Sequence, residues 1–153
     1  MNGSSTTALV YEQMLMTRYA ANGVHPDGNA HALDRSATVL LARLLGEGPM
    51  TVAELADALE LDVSTIHRQV AAAMKRGLVE RIDAPAGGTA RPHRATPEGE
   101  RRYREELEAR RFHVEHVVAD WSEEDRAALA GLLRRFNESA EGLRGKPWLR
   151  REG

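Results

Sequence analysis

The chain contains no cysteine, which excludes disulfides, thiolate catalysis and a thiol-based redox switch. Lysine is nearly absent too: of 21 basic residues only Lys75 and Lys146 are lysine, so arginine carries the positive charge. No apolar run approaches the ~18 residues that a membrane-spanning helix needs. The first residues, MNGSSTTALVYEQ, lack the basic start and apolar stretch of a secretory signal, so a cytoplasmic protein without a membrane partner is expected. There is no phosphate-cradling glycine loop and no nucleophile beside an obvious base, and the acidic pairs lie on helix surfaces as solvating charges. The expectation is a protein that is not an enzyme, with no catalytic residue and no cofactor.

What is present is an ordinary globular composition, 42% hydrophobic and 29% charged over 153 residues. That length forms one domain, or one domain with a closely associated helical part. The net charge of −2 conceals a segregation: residues 1–63 carry −5, residues 64–104 carry +5, residues 105–142 carry −5 and the tail carries +3. Exposed charges act over about one Debye length, ~8–10 Å. A basic middle between acidic flanks therefore attracts phosphate locally while limiting non-specific adhesion.

Apolar spacing predicts a first helix over residues 7–21 from Leu9, Val10, Met14 and Leu15, then a loop over residues 22–29. A second helix over residues 30–45 buries Leu33, Ala37, Leu40, Leu41 and Leu44, and Gly46 to Pro49 stop it. Thr51-Val52-Ala53-Glu54 has the capping-box pattern and opens a third helix. Glu60 to Asp62 form a turn, with Asp62 as N-cap of a fourth helix whose inward stripe is Ile66, Val70, Ala73 and Met74. Gly77 is its C-cap signal. Leu78 to Ile82 alternate as a strand, residues 83–89 are a loop, and residues 91–95 return as a partner strand confined to an edge by Pro92. Thr96-Pro97 starts a fifth helix reaching about residue 119, burying Tyr103, Leu107, Phe112, Val114, Val117 and Val118. A sixth, from Ser122 to about Gly142, buries Ala128, Leu129, Leu132, Leu133 and Phe136.

Two helices followed by a hairpin predict a mainly α fold with a small β-wing, the winged helix-turn-helix, whose second helix enters the major groove of DNA. On the fourth helix Ser64, Thr65, His67, Arg68 and Gln69 form an exposed polar face opposite Ile66 and Val70. Arg68 can donate twice to guanine, Gln69 can pair bidentately with adenine, and the hydroxyls of Ser64 and Thr65 suit phosphate or base edges. Arg91 and Arg94 are the candidates on the wing. Arg101, Arg102 and Arg104 either touch phosphates or solvate the fifth helix.

Four stretches carry a resemblance: Gly48 to Ala56, Leu61 to Val70, Arg76 to Arg81, and Ala95 to Gly99. In order and spacing they resemble the multiple-antibiotic-resistance regulator (MarR) family of bacterial transcription factors. The resemblance implies three regions: residues 1–30 as a dimerisation helix and loop, 31–99 as the DNA-binding lobe, and 100–153 as C-terminal dimerisation helices and tail. It also implies a homodimer on a pseudo-palindromic operator in double-stranded DNA, acting as a repressor, with a small-molecule effector that weakens binding. The sequence departs from the family twice. The wing's usual Asp-x-Arg is replaced by Gly87-Gly88-Thr89-Ala90-Arg91, and Glu60 stands where glycine is common. In a left-handed conformation that glutamate costs roughly 1–2 kcal/mol.

Two other readings remain. One is a dimeric winged-helix interaction module that does not read DNA. The other is a metal-responsive regulator using His31, His113 and His116, although histidines three apart without a cysteine fall short of a ligand set, so no metal residue is assigned. Trp121 and Trp148 line a ligand pocket or pack against neighbouring helices.

Overall fold

A computed structural model describes residues 3–20 and 33–150. Its elements are α1 (Gly3–Ala20), α2 (Arg35–Glu47), α3 (Val52–Leu59), α4 (Val63–Lys75), β1 (Val79–Arg81), β2 (His93–Ala95), α5 (Pro97–Val117) and α6 (Glu123–Arg144). The expected mainly helical chain with a small antiparallel wing is what forms. No helix among the described residues is long and apolar enough to cross a membrane.

Local chemistry sets the boundaries. Asp34 accepts the Ala37 amide at 2.8 Å and the Ser36 hydroxyl at 2.6 Å. These bonds hold Asp34 extended (φ −66°, ψ 166°), so α2 begins at Arg35 rather than residue 30. The predicted loop over residues 22–29, and residues 30–32 of the predicted second helix, lie outside the described residues. The α3 capping box is complete: the Thr51 amide donates to Glu54 Oε2 at 2.7 Å and the Glu54 amide to Thr51 Oγ1 at 3.2 Å. Glu60 does adopt the left-handed conformation (φ 53°, ψ 43°) that its position in the turn demanded. Helix α4 ends in a Schellman motif, with Leu78 N–H donating to the Ala73 carbonyl, Gly77 N–H to Met74, and Gly77 at φ 71°.

The core joins α2, α3, α4 and the root of the wing. Leu40, Leu41, Leu55, Ile66 and Leu78 are wholly buried within it, each side chain contributing about 1.5–3 kcal/mol. Tyr103 of α5 packs against this cluster. The Thr96 hydroxyl accepts the Gly99 amide at 2.9 Å and donates to the Gly77 carbonyl at 2.6 Å. One side chain thus caps α5 and ties it to the end of α4.

Three expectations need correction. The return strand is an edge for only part of its length: in a two-stranded sheet β2 pairs with β1 in the register Glu80↔Arg94, and on its other side a single isolated bridge has His93 exchanging backbone hydrogen bonds with Met50. Pro92 sits just outside the strand, so no ladder donor is lost, and its carbonyl accepts from Ile82.

The second correction concerns α5 beyond its first turns. Leu107, Phe112, Val114 and Val117 are all exposed, while Glu106 is buried with Arg110 bonded to it at 2.8 Å. Third, α6 buries no residue at all in the single chain; Leu129, Leu132 and Phe136 face outward. Apolar spacing predicts a buried stripe without saying which molecule covers it.

Candidate nucleic-acid interface

Ile66, Val70 and Ala73 turn one side of α4 into the core, which leaves the opposite side to solvent by helical geometry. Ser64, His67 and Arg68 are exposed, Thr65 and Gln69 half-buried. Arg68 Nη2 donates to Thr65 Oγ1 at 3.3 Å, so these two candidate readers are already aligned along the face. Asp62 takes the N-cap position in extended conformation, but its side chain makes no capping hydrogen bond. The first amides of α4 therefore point outward without a side-chain acceptor, a geometry suited to phosphate.

Arg68 and Gln69 also border a cleft of about 200 Å³ between α4 and the start of α2, where Arg76 lies 3.7 Å from the Asp34 carboxylate. The Ser36 hydroxyl, the Ala37 amide and then Arg76 hold the Asp34 carboxyl below its ordinary value.

On the wing both arginines are engaged. Arg94 Nε donates to Glu80 Oε1 at 2.7 Å across the ladder. Arg91 donates to the Ile82 carbonyl and to Asp83 Oδ1, each at 3.2 Å. An acidic partner for the wing arginine thus comes from the opposite strand's end instead of two residues away. Sequence separation hid this pair. The turn at Pro85–Gly88 that brings the strands back has Gly87 at φ 85°.

His93 sits at the root of the wing, buried, with no hydrogen-bond partner for Nδ1. Burial, then the charges of Arg81, His67 and Arg91, push its pKa down.

The remaining candidates separate from this surface. Arg101 bonds Glu98 and Glu105, and Arg104 bonds Glu100, so both form ion pairs along α5. His116 uses Nδ1 on the Phe112 carbonyl at 2.8 Å and packs against its ring, tilted by 48° with centroids 4.1 Å apart. Among the described residues no three His, Cys, Asp or Glu side chains cluster as a metal site; His31 lies outside those residues. Trp148 packs beneath Arg43, 4.9 Å from ring to guanidinium.

Residues 33–88 match the MarR family model. YxaD, an uncharacterized HTH-type transcriptional regulator of Bacillus subtilis (strain 168), is 28% identical over 138 residues, spanning 90% of this chain and 96% of its own. The structure of a MarR family protein from Bacillus stearothermophilus is similar with a TM-score of 0.73 at 22% identity, covering 92% of this chain and 99% of that one. The PcaV transcriptional regulator from Streptomyces coelicolor, solved with its natural ligand, gives a TM-score of 0.60 at 22% identity, covering 92% and 98%. The two structural similarities are similarities of fold.

Proposed function

The chain belongs to the MarR family of DNA-binding transcriptional regulators, and from that premise we propose that it is a homodimeric repressor released by a small-molecule effector. Two copies of α4 would enter successive major grooves of a pseudo-palindromic operator, with half-sites one helical turn, ~34–36 Å, apart. Ser64, Thr65, His67, Arg68 and Gln69 are the proposed readers, with Arg91 and Arg94 reaching from the wing. The observation that carries this reading is the outward polar face of α4 beside an uncapped helix start, in the segment carrying +5.

Dimerisation is supported by the apolar surface left bare. Leu9, Tyr11 and Met14 on α1, Phe112 and Val117 on α5, and Leu132 and Phe136 on α6 are each at least 44% exposed. So much large apolar side chain on three helices marks an interface. We place the dimerisation regions at residues 1–30 and 100–153 and the DNA-binding lobe at 31–99, in a cytoplasmic protein. An effector is proposed on the family's account, and PcaV, solved with a ligand, supports it. It would act by favouring a lobe spacing that no longer fits both half-sites.

A gel shift on the DNA upstream of its own gene tests the proposal. Specific retention that weakens steeply with salt is expected. Equal binding to unrelated fragments, or none, overturns it and favours an interaction module that does not read DNA.

A further inference from the structure

The tail that follows α6 folds back onto the lobe that carries α4. Lys146 Nζ reaches the end of α3, bonding the Asp57 carbonyl and its carboxylate, the latter at 2.8 Å. Arg144 Nη1 lies 3.2 Å from Glu60 Oε2, at the turn between α3 and α4. Arg43 of α2 lies over the Trp148 ring and donates to the Pro147 carbonyl at 3.4 Å. The Trp148 amide in turn donates to Glu141 Oε2 at 3.2 Å, and Arg150 clasps the same carboxylate, which holds it below its usual range. The tail is thus bonded at one end to α6 and at the other to α2 and α3, across 89 to 104 residues of sequence.

These contacts have a use beyond holding the chain together. No residue of α6 is fully buried, although Leu133 and Ala140 are half-buried, and among the described residues the hydrogen bonds that tie α6 to other segments lie at its two ends. At the start, Arg126 bonds the Val118 and Ala119 carbonyls of the turn after α5. At the finish stands the tail. Lys146 of the tail and Arg144 at the end of α6 also neutralise Asp57 and Glu60, carboxylates beside the turn that leads into α4, where a phosphate would otherwise meet a repelling charge.

We infer that Lys146 and Trp148 are positioning residues for DNA binding: by fastening the end of α6 to α2 and α3 they set the angle at which α4 is presented. The inference rests on the lobe reading DNA, as proposed above. Neither residue belongs to the polar face of α4. Their effect passes through Asp57 and Arg43 to the lobe, and in a dimer it fixes the distance between two α4 helices.

The test uses the full chain and the upstream fragment retained in the gel shift. In a Trp121→Phe background Trp148 is the sole tryptophan, and its emission reports tail docking without DNA. Lys146→Glu should red-shift that emission and weaken binding by about three- to tenfold, the scale of one exposed ion pair plus a cation–π contact. Helical circular dichroism should be unchanged. Combining Lys146→Asp with Asp57→Lys should restore binding beyond what Asp57→Lys does alone. Inserting one base pair between half-sites should cost the unaltered protein more than it costs Lys146→Glu, because a loosened lobe tolerates the wrong spacing.

Undocked emission with wild-type affinity and wild-type spacing preference would overturn the positioning role while leaving DNA reading intact. So would weaker binding with an undiminished spacing preference, the mark of a merely stabilising contact. Failure of the unaltered protein to bind the fragment would overturn both readings.

Discussion

No side chain fits at Gly99, because the position its Cβ would take overlaps the backbone carbonyl of Leu78. That carbonyl is already committed, accepting the Thr96 amide at 3.0 Å, and Leu41 closes the third side at 3.1 Å. The first turn of α5 is therefore pressed against the root of the wing, and glycine is what permits it. Gly99→Ala should destabilise the fold by ~3 kcal/mol, at the upper end of overpacking penalties. Urea unfolding followed by circular dichroism measures it, and a loss under 1 kcal/mol would mean that the two segments can part cheaply.

Asp83 restrains the wing arginine. Removing its carboxylate with Asp83→Ala frees the Arg91 guanidinium and takes a negative charge from the edge proposed to face DNA, so affinity for the upstream fragment should rise a few-fold and depend more steeply on salt. In an Arg91→Ala background the same change should give a smaller gain. Equal gains in both backgrounds would show that Asp83 acts as a repelling charge and not through Arg91.

His93 makes stability depend on mild acid. Its folded pKa lies below the ordinary 6.5, so the neutral form is favoured by folding. Above pH 6.5 that contribution is fully present. As pH falls from 6.5 toward the folded pKa the unfolded chain takes up a proton that folded His93 refuses, and stability drops by at most ~1.4 kcal/mol per pH unit until the folded form is protonated too. Thermal melts between pH 7.5 and 5 should show the decline, and His93→Leu should flatten it. The carboxyls of Asp34, Glu98 and Glu141 are lowered from values near 4, so their contribution is lost only in stronger acid. An unchanged slope in His93→Leu would place the titration elsewhere.

Leu132 tests the bare face of α6. It is 57% exposed in the single chain, so Leu132→Glu should leave each chain folded while separating a dimer. Sedimentation should give the monomer mass of 16.9 kDa, and operator binding should fall with it, since one half-site contributes only part of the affinity. A variant that still sediments as a dimer would move the interface off this stripe.

Much of the lobe was legible in the sequence because its signals are local. The Thr51–Glu54 capping box, the Thr96-Pro97 start of α5 and the Gly77 end of α4 each depend on residues within one helical turn, and each forms as read. The inward stripe of α4 follows from helical periodicity, which also places Ser64, His67 and Arg68 outside. Glycine at position 99 gave no such signal, because the carbonyl it makes room for lies 21 residues earlier.

The chain's own sequence therefore determined which segments are helices, where they end, and which side of α4 turns away from the core, since dihedral preference, capping and apolar spacing act over a few residues. Only the tertiary structure decided that Arg91 answers Asp83, that Met50 extends the wing, that His93 is buried without a partner for Nδ1, and that Lys146 and Trp148 close on α3 and α2. It also decided that the apolar stripes of α5 and α6 stay uncovered within one chain. These are meetings between residues far apart in sequence. Composition and periodicity describe what a face is made of, whereas packing settles what that face meets.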